Sequence, residues 1–217
     1  KSSWGSGDLK TDWDLAAARL GNHVLELCPR WLVLVQGVGE TPGAGEGQDT
    51  AGGVFWGENL YGARNAPITL NDQSKLVYSP SSFGPATYSF EFFKYGKFPN
   101  NMPQVWQRKF GFVEDELRAP LVFASLGDAP PLTLGEGDAW LSNRWMEWAV
   151  DYSKKKGWGW FLSSLITDAS VGYRGILDDD CETLNTEVLN SVKFAPSTNV
   201  LNLMPPRPPR APPARTE

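Results

Sequence analysis

Segments of strand length alternate along this chain with segments of helical periodicity, and this alternation limits the folds it can adopt more than any other feature. The strand-like segments, which are short and mainly apolar, lie at 31–36, 75–79, 120–125 and 158–163. The helical patterns lie at 12–27, 102–117, 138–154 and 185–192. Apolar strands separated by helices are typical of a parallel sheet covered on both faces. The pattern predicts an α/β fold of four βα units, half of the eight that close a (β/α)8 barrel.

Two of the helical segments have a clear amphipathic pattern. The first has Thr11 or Asp12 as its N-cap and Pro29 after its end. Its predicted buried stripe consists of apolar residues three or four positions apart: Trp13, Leu15, Ala16, Leu20, Val24 and Leu27. The segment 138–154 has the best pattern in the chain, with a predicted buried stripe of Trp140, Leu141, Trp145, Trp148 and Ala149.

Length and composition indicate a single domain. The 217 residues are 41% hydrophobic and 21% charged, as in an ordinary globular protein. We expect the fold to occupy 1–200, including a Gly-rich acidic loop at 37–53. The segment 201–217 is rich in Pro and Arg, cannot build a core, and is predicted to be an extended or disordered linker; a ligand for a proline-binding module is the alternative.

Charge and hydropathy argue against several classes of partner. The net charge is -5 and the isoelectric point is near 5.0, whereas nucleic acids and anionic lipids attract basic surfaces. The sequence contains no apolar run of about 18 residues, the length that spans a bilayer. We therefore predict no nucleic-acid partner and no membrane span. No apolar signal core follows Lys1, so we expect any targeting segment to precede it or to be absent.

The potential metal ligands are few and scattered. Cys28 and Cys181 lack metal-type spacing; buried thiols are favoured, and a disulfide between them is the alternative. His23 is the one histidine, which excludes a multi-histidine site, and we expect it at the surface. The acidic run 178–180 matches no EF-hand pattern, so a solvated turn is favoured over calcium. We predict no metal and no cofactor.

A series of motifs, taken in order, resembles the family 5 glycoside hydrolases and in particular their secreted endo-β-1,4-glucanase branch. The motifs are WGSGD at 4–8, DWDLAAARLGN at 12–22, LVLVQGV at 32–38, WGENLYG at 56–62, LVYSP at 76–80, FPNNMP at 98–103, AP at 119–120 and GILDD at 175–179. The resemblance covers about 190 residues. It implies the C-terminal half of a (β/α)8 barrel, and a secreted protein.

The same resemblance implies a pair of catalytic glutamates. Retaining glycosidases hold two carboxyl groups about 5 to 5.5 Å apart, one as acid/base and one as nucleophile. The acid/base of the family belongs to an Asn-Glu pair that would precede Lys1. The nucleophile belongs to a Gly-Glu-Phe-Gly motif on strand seven, where this chain has Ala-Ser-Leu-Gly with Ser125 at the glutamate position. His23 belongs to the first helix, so we expect no histidine beside Ser125 to activate it.

Other active-site positions of the family are also changed. A His-x-Tyr pair on strand six is replaced by Ser81 and Phe83, and the strand-eight Trp has no counterpart at 161–165. A Cys-Trp-Gly-Cys loop of some relatives reads Ser3-Trp-Gly-Ser6 here. The prediction is therefore a cellulase-like domain that is inactive as it stands. The alternative is a fragment of an active endoglucanase whose acid/base lies upstream.

Binding residues survive better than catalytic ones in the aligned motifs. Trp56 and Asn59 belong to a retained motif beside the cleft of the family and are candidates for stacking on, or hydrogen bonding to, a β-glucan. Glu58 and Asp128 are candidates to reach the cleft, although a displacement of about 1 Å already costs about a hundredfold in catalysis. Half a barrel also leaves two open strand edges, so an N-terminal half-barrel is predicted as a partner, in the same polypeptide or another.

Overall fold

The computed structural model describes residues 2–39, 53–94, 96–129, 139–168 and 175–193. In these ranges the helices are α1 (Trp13–Leu27), α2 (Glu91–Lys94), α3 (Met102–Trp106), α4 (Ala139–Lys156) and α5 (Thr186–Val192). The strands are β1 (Val33–Val35), β2 (Leu76–Tyr78), β3 (Ser81–Phe83), β4 (Val122–Gly127) and β5 (Gly159–Ser163). The predicted tail 201–217 and most of the loop 37–53 lie outside the described residues.

The strands form a parallel arrangement in chain order. β1 pairs with β2, and β4 lies between β3 and β5. β2 and β3 are separated only by Ser79 and Pro80, and Tyr78 also bridges to Leu121 in parallel. Backbone hydrogen bonds from Tyr78 N to Pro120 O (3.0 Å) and from Ala124 N to Pro80 O (3.0 Å) join the two parts. The predicted parallel α/β order is confirmed, with β3 as an additional strand.

The first strand is shorter and less covered than its sequence indicates. The prediction of a buried strand at 31–36 is wrong, because Trp31, Leu32 and Leu34 are exposed. Only Val35 of β1 is fully buried. β1 is the outer strand of the described sheet, so one of its edges and part of its surface have no neighbour among the described residues.

The stripe predicted for α1 is also wrong in part. The face buried against the sheet carries Ala17, Gly21 and Leu25. Four residues of the predicted stripe are exposed instead: Leu15, Leu20, Val24 and Leu27. The helix therefore has two apolar faces, and periodicity alone does not tell which one meets the sheet. On α4, Trp145 and Ala149 are buried as predicted, whereas Trp140 is exposed.

Asp12 precedes α1 but does not cap it with its side chain. Its carboxylate instead accepts hydrogen bonds from Ser3 Oγ (2.6 Å), Ser6 Oγ (2.8 Å), Ser6 N (3.0 Å) and Gly7 N (2.6 Å). Burial raises the pKa of Asp12, but these hydrogen bonds outweigh it and lower the pKa to about 2. The carboxylate thus fastens the N-terminal loop to the start of the helix.

The predicted helical segment 102–117 is irregular. α3 ends at Trp106 and is followed by π-helical turns at Gln107–Gly111 and Val113–Leu117. These turns bury Lys109, Phe110 and Val113. Phe110 contacts Phe123 of β4 edge to face, with ring centroids 5.2 Å apart. The segment therefore covers the sheet although its sequence has only a weak helical period.

Of the remaining predictions on single residues, some agree with the structure and others do not. Cys28 and Cys181 are both free, but Cys28 is only half-buried and Cys181 is exposed, so the preferred prediction of two buried thiols is wrong. His23 is exposed, as predicted, with Nδ1 3.3 Å from Glu26 Oε2. Among the described residues no group of three or more His, Cys, Asp or Glu side chains is placed to hold a metal ion. No described helix has the length and apolar character to cross a membrane.

Candidate functional site

The residue after β1 and the strands β3 and β4 place three neutral polar side chains next to one another. Ser81 and Ser125 are Cα partners in the parallel pair β3–β4, so their side chains leave the same face of the sheet. Gln36, directly after β1, donates from Nε2 to Ser81 Oγ at 2.8 Å. Ser81 is buried and Ser125 is half-buried. The predicted nucleophile position is thus occupied by a hydroxyl beside a second hydroxyl and an amide.

Phe83 lies two residues further along β3, on the same face as Ser81. Its ring meets Phe55 edge to face, with centroids 5.6 Å apart. It thus fills space with apolar surface and offers no hydroxyl to a ligand. On β5 the segment 161–165 contributes Phe161, which is exposed, and no indole.

Glu58 is buried and has three partners. Its Oε2 accepts hydrogen bonds from Lys109 Nζ (2.7 Å) and Phe55 N (3.0 Å), and its Oε1 accepts one from Ser82 Oγ (2.9 Å). Both members of the ion pair are nearly inaccessible, with side-chain exposures of 2% for Glu58 and 8% for Lys109. The carboxylate is therefore committed to internal contacts.

Asp128 is likewise buried, three residues after Ser125. Its carboxylate accepts hydrogen bonds from Ser142 Oγ (2.5 Å), Thr87 N (2.8 Å) and Ala129 N (2.9 Å). Burial raises the pKa of Asp128 to about 6, although these hydrogen bonds oppose the rise. Asp128 thereby ties the loop after β3 to the start of α4.

Trp56 and Asn59 have opposite environments. Asn59 is buried, its Oδ1 accepts a hydrogen bond from Tyr61 N at 2.9 Å, and its backbone pairs with Val38. Trp56 is 83% exposed. Of the four predicted binding candidates, Trp56 is the one whose side chain is free to meet a ligand.

Trp56 forms part of an open groove of about 690 Å³ at the carboxyl ends of β1 and β3. Five aromatic side chains line it: Trp13, Phe55, Trp56, Tyr88 and Phe90. Gln36 and Thr87 add polar groups, and none of the described lining residues is charged. The indole of Trp13 is fixed by a hydrogen bond from Nε1 to Gln36 O at 2.8 Å. Aromatic faces with a few polar groups suit a neutral, ring-shaped ligand.

A second cavity of similar size, about 700 Å³, lies between α4 and α5. Its lining includes Glu147, Asp151, Lys154 and Glu187, and no strand-end residue contributes to it. We consider the aromatic groove the better candidate site, because it adjoins the strand ends where barrel enzymes carry their chemistry.

Sequence reasoning missed Gln36, Tyr88 and Lys109. Gln36 directly follows a predicted strand, and residues in that position lie at the rim of a barrel, so it could have been proposed as a site residue. Tyr88 lies in a loop without periodicity. Lys109 is 51 residues from Glu58, and no local pattern in the sequence indicates that pair.

The chain is similar to several bacterial and archaeal cellulases. An endoglucanase of Paenibacillus polymyxa is 37% identical over 127 residues, covering 58% of this chain and 31% of that protein. The major extracellular endoglucanase of Xanthomonas campestris pv. campestris is 31% identical over 198 residues, covering 88% of this chain and 37% of that protein. No protein-family profile matches the chain.

Solved structures give the same result. An endocellulase from Pyrococcus horikoshii, in complex with cellotetraose, superimposes with a TM-score of 0.76 at 31% identity. The superposition covers 88% of this chain and 50% of the endocellulase chain. Over most of its length the chain is a homologue of the family 5 endocellulases. The catalytic domain of the Xanthomonas enzyme gives a TM-score of 0.75 and is covered to 52%. The chain corresponds to the C-terminal half of their (β/α)8 barrel, as predicted. It spans about a third of the curated relatives' length.

Proposed function

We propose that this chain is a cellulase-like domain that binds neutral β-glucan in its aromatic groove and does not hydrolyse glycosidic bonds. The observation that carries the inactive part is the Ser81–Ser125 hydroxyl pair, which occupies the rim where a carboxylate would attack the anomeric carbon. Glu58 and Asp128 are no substitutes, because both are buried and held by internal donors.

Support for binding comes from the groove itself and from a relative. Sugar rings present C–H groups that pack on aromatic faces, and Trp56 offers an exposed face. The Pyrococcus endocellulase has been solved with cellotetraose, a neutral glucan. A groove lined by uncharged residues favours such a ligand over an acidic polysaccharide, whose carboxylates would lose their hydration without gaining a cation.

The test is turnover of a dinitrophenyl cellobioside by the chain and by its Ser125→Glu and Ser125→Gln variants. Dinitrophenolate leaves without being protonated, so a nucleophile alone suffices to release it. We expect no turnover by the chain or by Ser125→Gln, which matches glutamate in shape but lacks its charge. Release of dye by the unmodified chain at a rate above that of the Gln variant would overturn the proposal in favour of a working endoglucanase.

We also propose that an N-terminal half-barrel covers the open side of the sheet. β1 and β5 are the outer strands of the described sheet. Large apolar side chains are exposed beside both of them: Leu20, Leu27, Trp31, Leu34, Phe161 and Leu165. Apolar patches of this kind mark surfaces that another element covers. The name of the Xanthomonas relative, an extracellular enzyme, supports an extracellular location for this chain too.

Co-purification tests the half-barrel partner. The first four βα units of a related endoglucanase, expressed separately, should bind this chain. Leu27→Lys combined with Leu34→Lys should prevent binding, because each places a charge in the apolar contact. Glu147→Lys on the exposed part of α4 is the control and should bind normally. Equal binding by all three chains would refute this partner.

A further inference from the structure

The segment Val54–Leu60, here called the platform, has an unusual distribution of exposure. Six of its seven residues are buried, and the seventh, Trp56, is 83% exposed. An exposed indole on a mobile loop would lose conformational freedom on binding a ligand. The contacts that hold the platform therefore determine how well Trp56 is prepared for binding.

The C-terminal part of the platform is held by backbone hydrogen bonds. Asn59 N donates to Val38 O and Val38 N donates to Asn59 O, both at 2.9 Å. Leu60 N donates to Lys109 O at 3.0 Å. Gly57 O accepts a hydrogen bond from Gly37 N at 3.0 Å. These bonds attach the platform to the loop after β1 and to the π-helical turn that contains Lys109.

The middle of the platform is held by side chains. Glu58 accepts from Phe55 N, on the other side of Trp56, and thereby closes the turn that carries the indole. The same carboxylate pairs with Lys109 and accepts from Ser82 on β3. Lys109 Nζ also lies 4.3 Å from the ring centroid of Phe92, a cation–π distance. The ion pair thus joins the platform to the sheet and to an aromatic cluster.

We propose that the buried Glu58–Lys109 ion pair is a positioning device that holds Trp56 in its binding orientation. The proposal rests on glucan binding in the groove, as set out above. Buried ion pairs contribute little to stability relative to well-packed apolar residues of similar size, whereas their directional contacts can select one conformation. A pair placed directly behind the one exposed residue of the platform fits the second role.

The experiment compares the chain with two variants and a control. Glu58→Met combined with Lys109→Met replaces the pair with apolar side chains of similar length, so the domain should fold. Glu58→Gln leaves Lys109 without its counter-charge. The control is Glu116→Gln, which removes the carboxylate charge of the more exposed Arg64–Glu116 pair (2.7 Å). The measurements are calorimetric binding of cellotetraose and the fluorine NMR resonance of 5-fluorotryptophan at Trp56, assigned with a Trp56→Phe variant.

We expect the double Met variant to bind cellotetraose about tenfold more weakly than the chain does, an effect of the size that one lost favourable contact produces. Its Trp56 resonance should shift or broaden. Glu58→Gln should show the same two changes and carries the test if the double variant does not fold. Glu116→Gln should show neither change.

Two results would overturn the proposal. One is a folded double variant with unchanged cellotetraose affinity. The other is a Trp56 resonance that stays in place in both Glu58 variants. If the unmodified chain binds no cellotetraose, the proposed function fails, but the position of the Trp56 resonance still decides whether the ion pair orders the platform.

Discussion

Ser81 and Ser125 are Cα partners on the parallel strands β3 and β4, at the rim where a barrel enzyme of this family carries its catalytic groups. Gln36 donates a hydrogen bond to Ser81, so the rim contains an amide and two hydroxyls close together. Such groups can orient a sugar hydroxyl. They cannot supply the anionic nucleophile that forms a glycosyl-enzyme intermediate.

Ser125→Ala tests whether Ser125 has a chemical role. Because the hydroxyl is only half-buried, we expect the free energy of unfolding to change by no more than about 1 kcal/mol. Cellotetraose binding should stay within a factor of about two of the unmodified chain, since that corresponds to less than half a kcal/mol. Urea denaturation and calorimetry measure both quantities. Loss of a covalent or hydrolytic activity in this variant alone would assign Ser125 a catalytic role that we do not expect.

Trp56→Ala should weaken cellotetraose binding about tenfold without lowering the melting temperature. The indole is largely exposed, so its removal leaves no cavity in the core. Trp140→Ala is the matched control: Trp140 is 52% exposed on α4 and does not line the groove. Binding titrations on both variants provide the measurement. Equal affinities for the two would contradict a role for Trp56 in the groove.

The order of elements could be predicted from the sequence because it depends on local patterns. α5 begins after Asn185, whose Oδ1 accepts a hydrogen bond from Val188 N at 3.2 Å, as its helical pattern and cap residue indicate. β3 could not be predicted in this way, since it is three residues long and begins with two serines. Its strand geometry comes from pairing with β4.

The orientation of α1 and the state of the site depend on contacts far apart in sequence. α1 has two apolar faces, and which of them is buried depends on where β1 and β2 lie. Glu58 belongs to a loop motif that indicates an accessible carboxylate, yet Lys109 and Ser82 engage it inside the protein. The family resemblance identified the rim positions, and only the three-dimensional arrangement identified the groove beside them.

Asp128 should make the stability of the domain depend on pH between about 4 and about 6. Its pKa is raised from 3.8 to about 6 by burial, so the folded state binds the proton more tightly than the unfolded state does. The contribution of Asp128 to the free energy of unfolding is fully present below pH 4 and is lost as the pH rises through 6. A rise of the pKa from 3.8 to about 6 corresponds to about 3 kcal/mol.

Urea denaturation of the chain and of Asp128→Asn at pH 4, 5, 6 and 7 measures this dependence. The chain should lose stability relative to the Asn variant as the pH rises, because the Asn side chain does not titrate. Ser142→Ala removes a hydrogen bond that lowers the pKa of Asp128, so the pKa should be higher in this variant. The variant should therefore continue to lose stability up to a higher pH than the unmodified chain does. Parallel pH profiles for all three proteins would contradict the raised pKa.

Ser3→Cys combined with Ser6→Cys should form a disulfide without raising the melting temperature. The two Oγ atoms are 3.1 Å apart, so a short shift brings two sulfur atoms into bonding distance. A bridge across so short a loop contributes about 2 kcal/mol by chain entropy. The substitution also removes both hydroxyl donors to Asp12, and hydrogen bonds to a buried charge are worth about 1.5–3 kcal/mol each.

Thiol titration and calorimetry, with and without reductant, separate these two effects. The oxidised variant should keep only the thiols of Cys28 and Cys181, which are free in the unmodified chain. In an Asp12→Ala background no carboxylate is present to lose the two donors, so the same bridge should raise the melting temperature. The contrary result is a bridge that raises the free energy of unfolding in the original background by the full contribution from chain entropy. It would show that the serine hydroxyls do not support Asp12. The backbone donors of Ser6 and Gly7 would then hold the loop on their own.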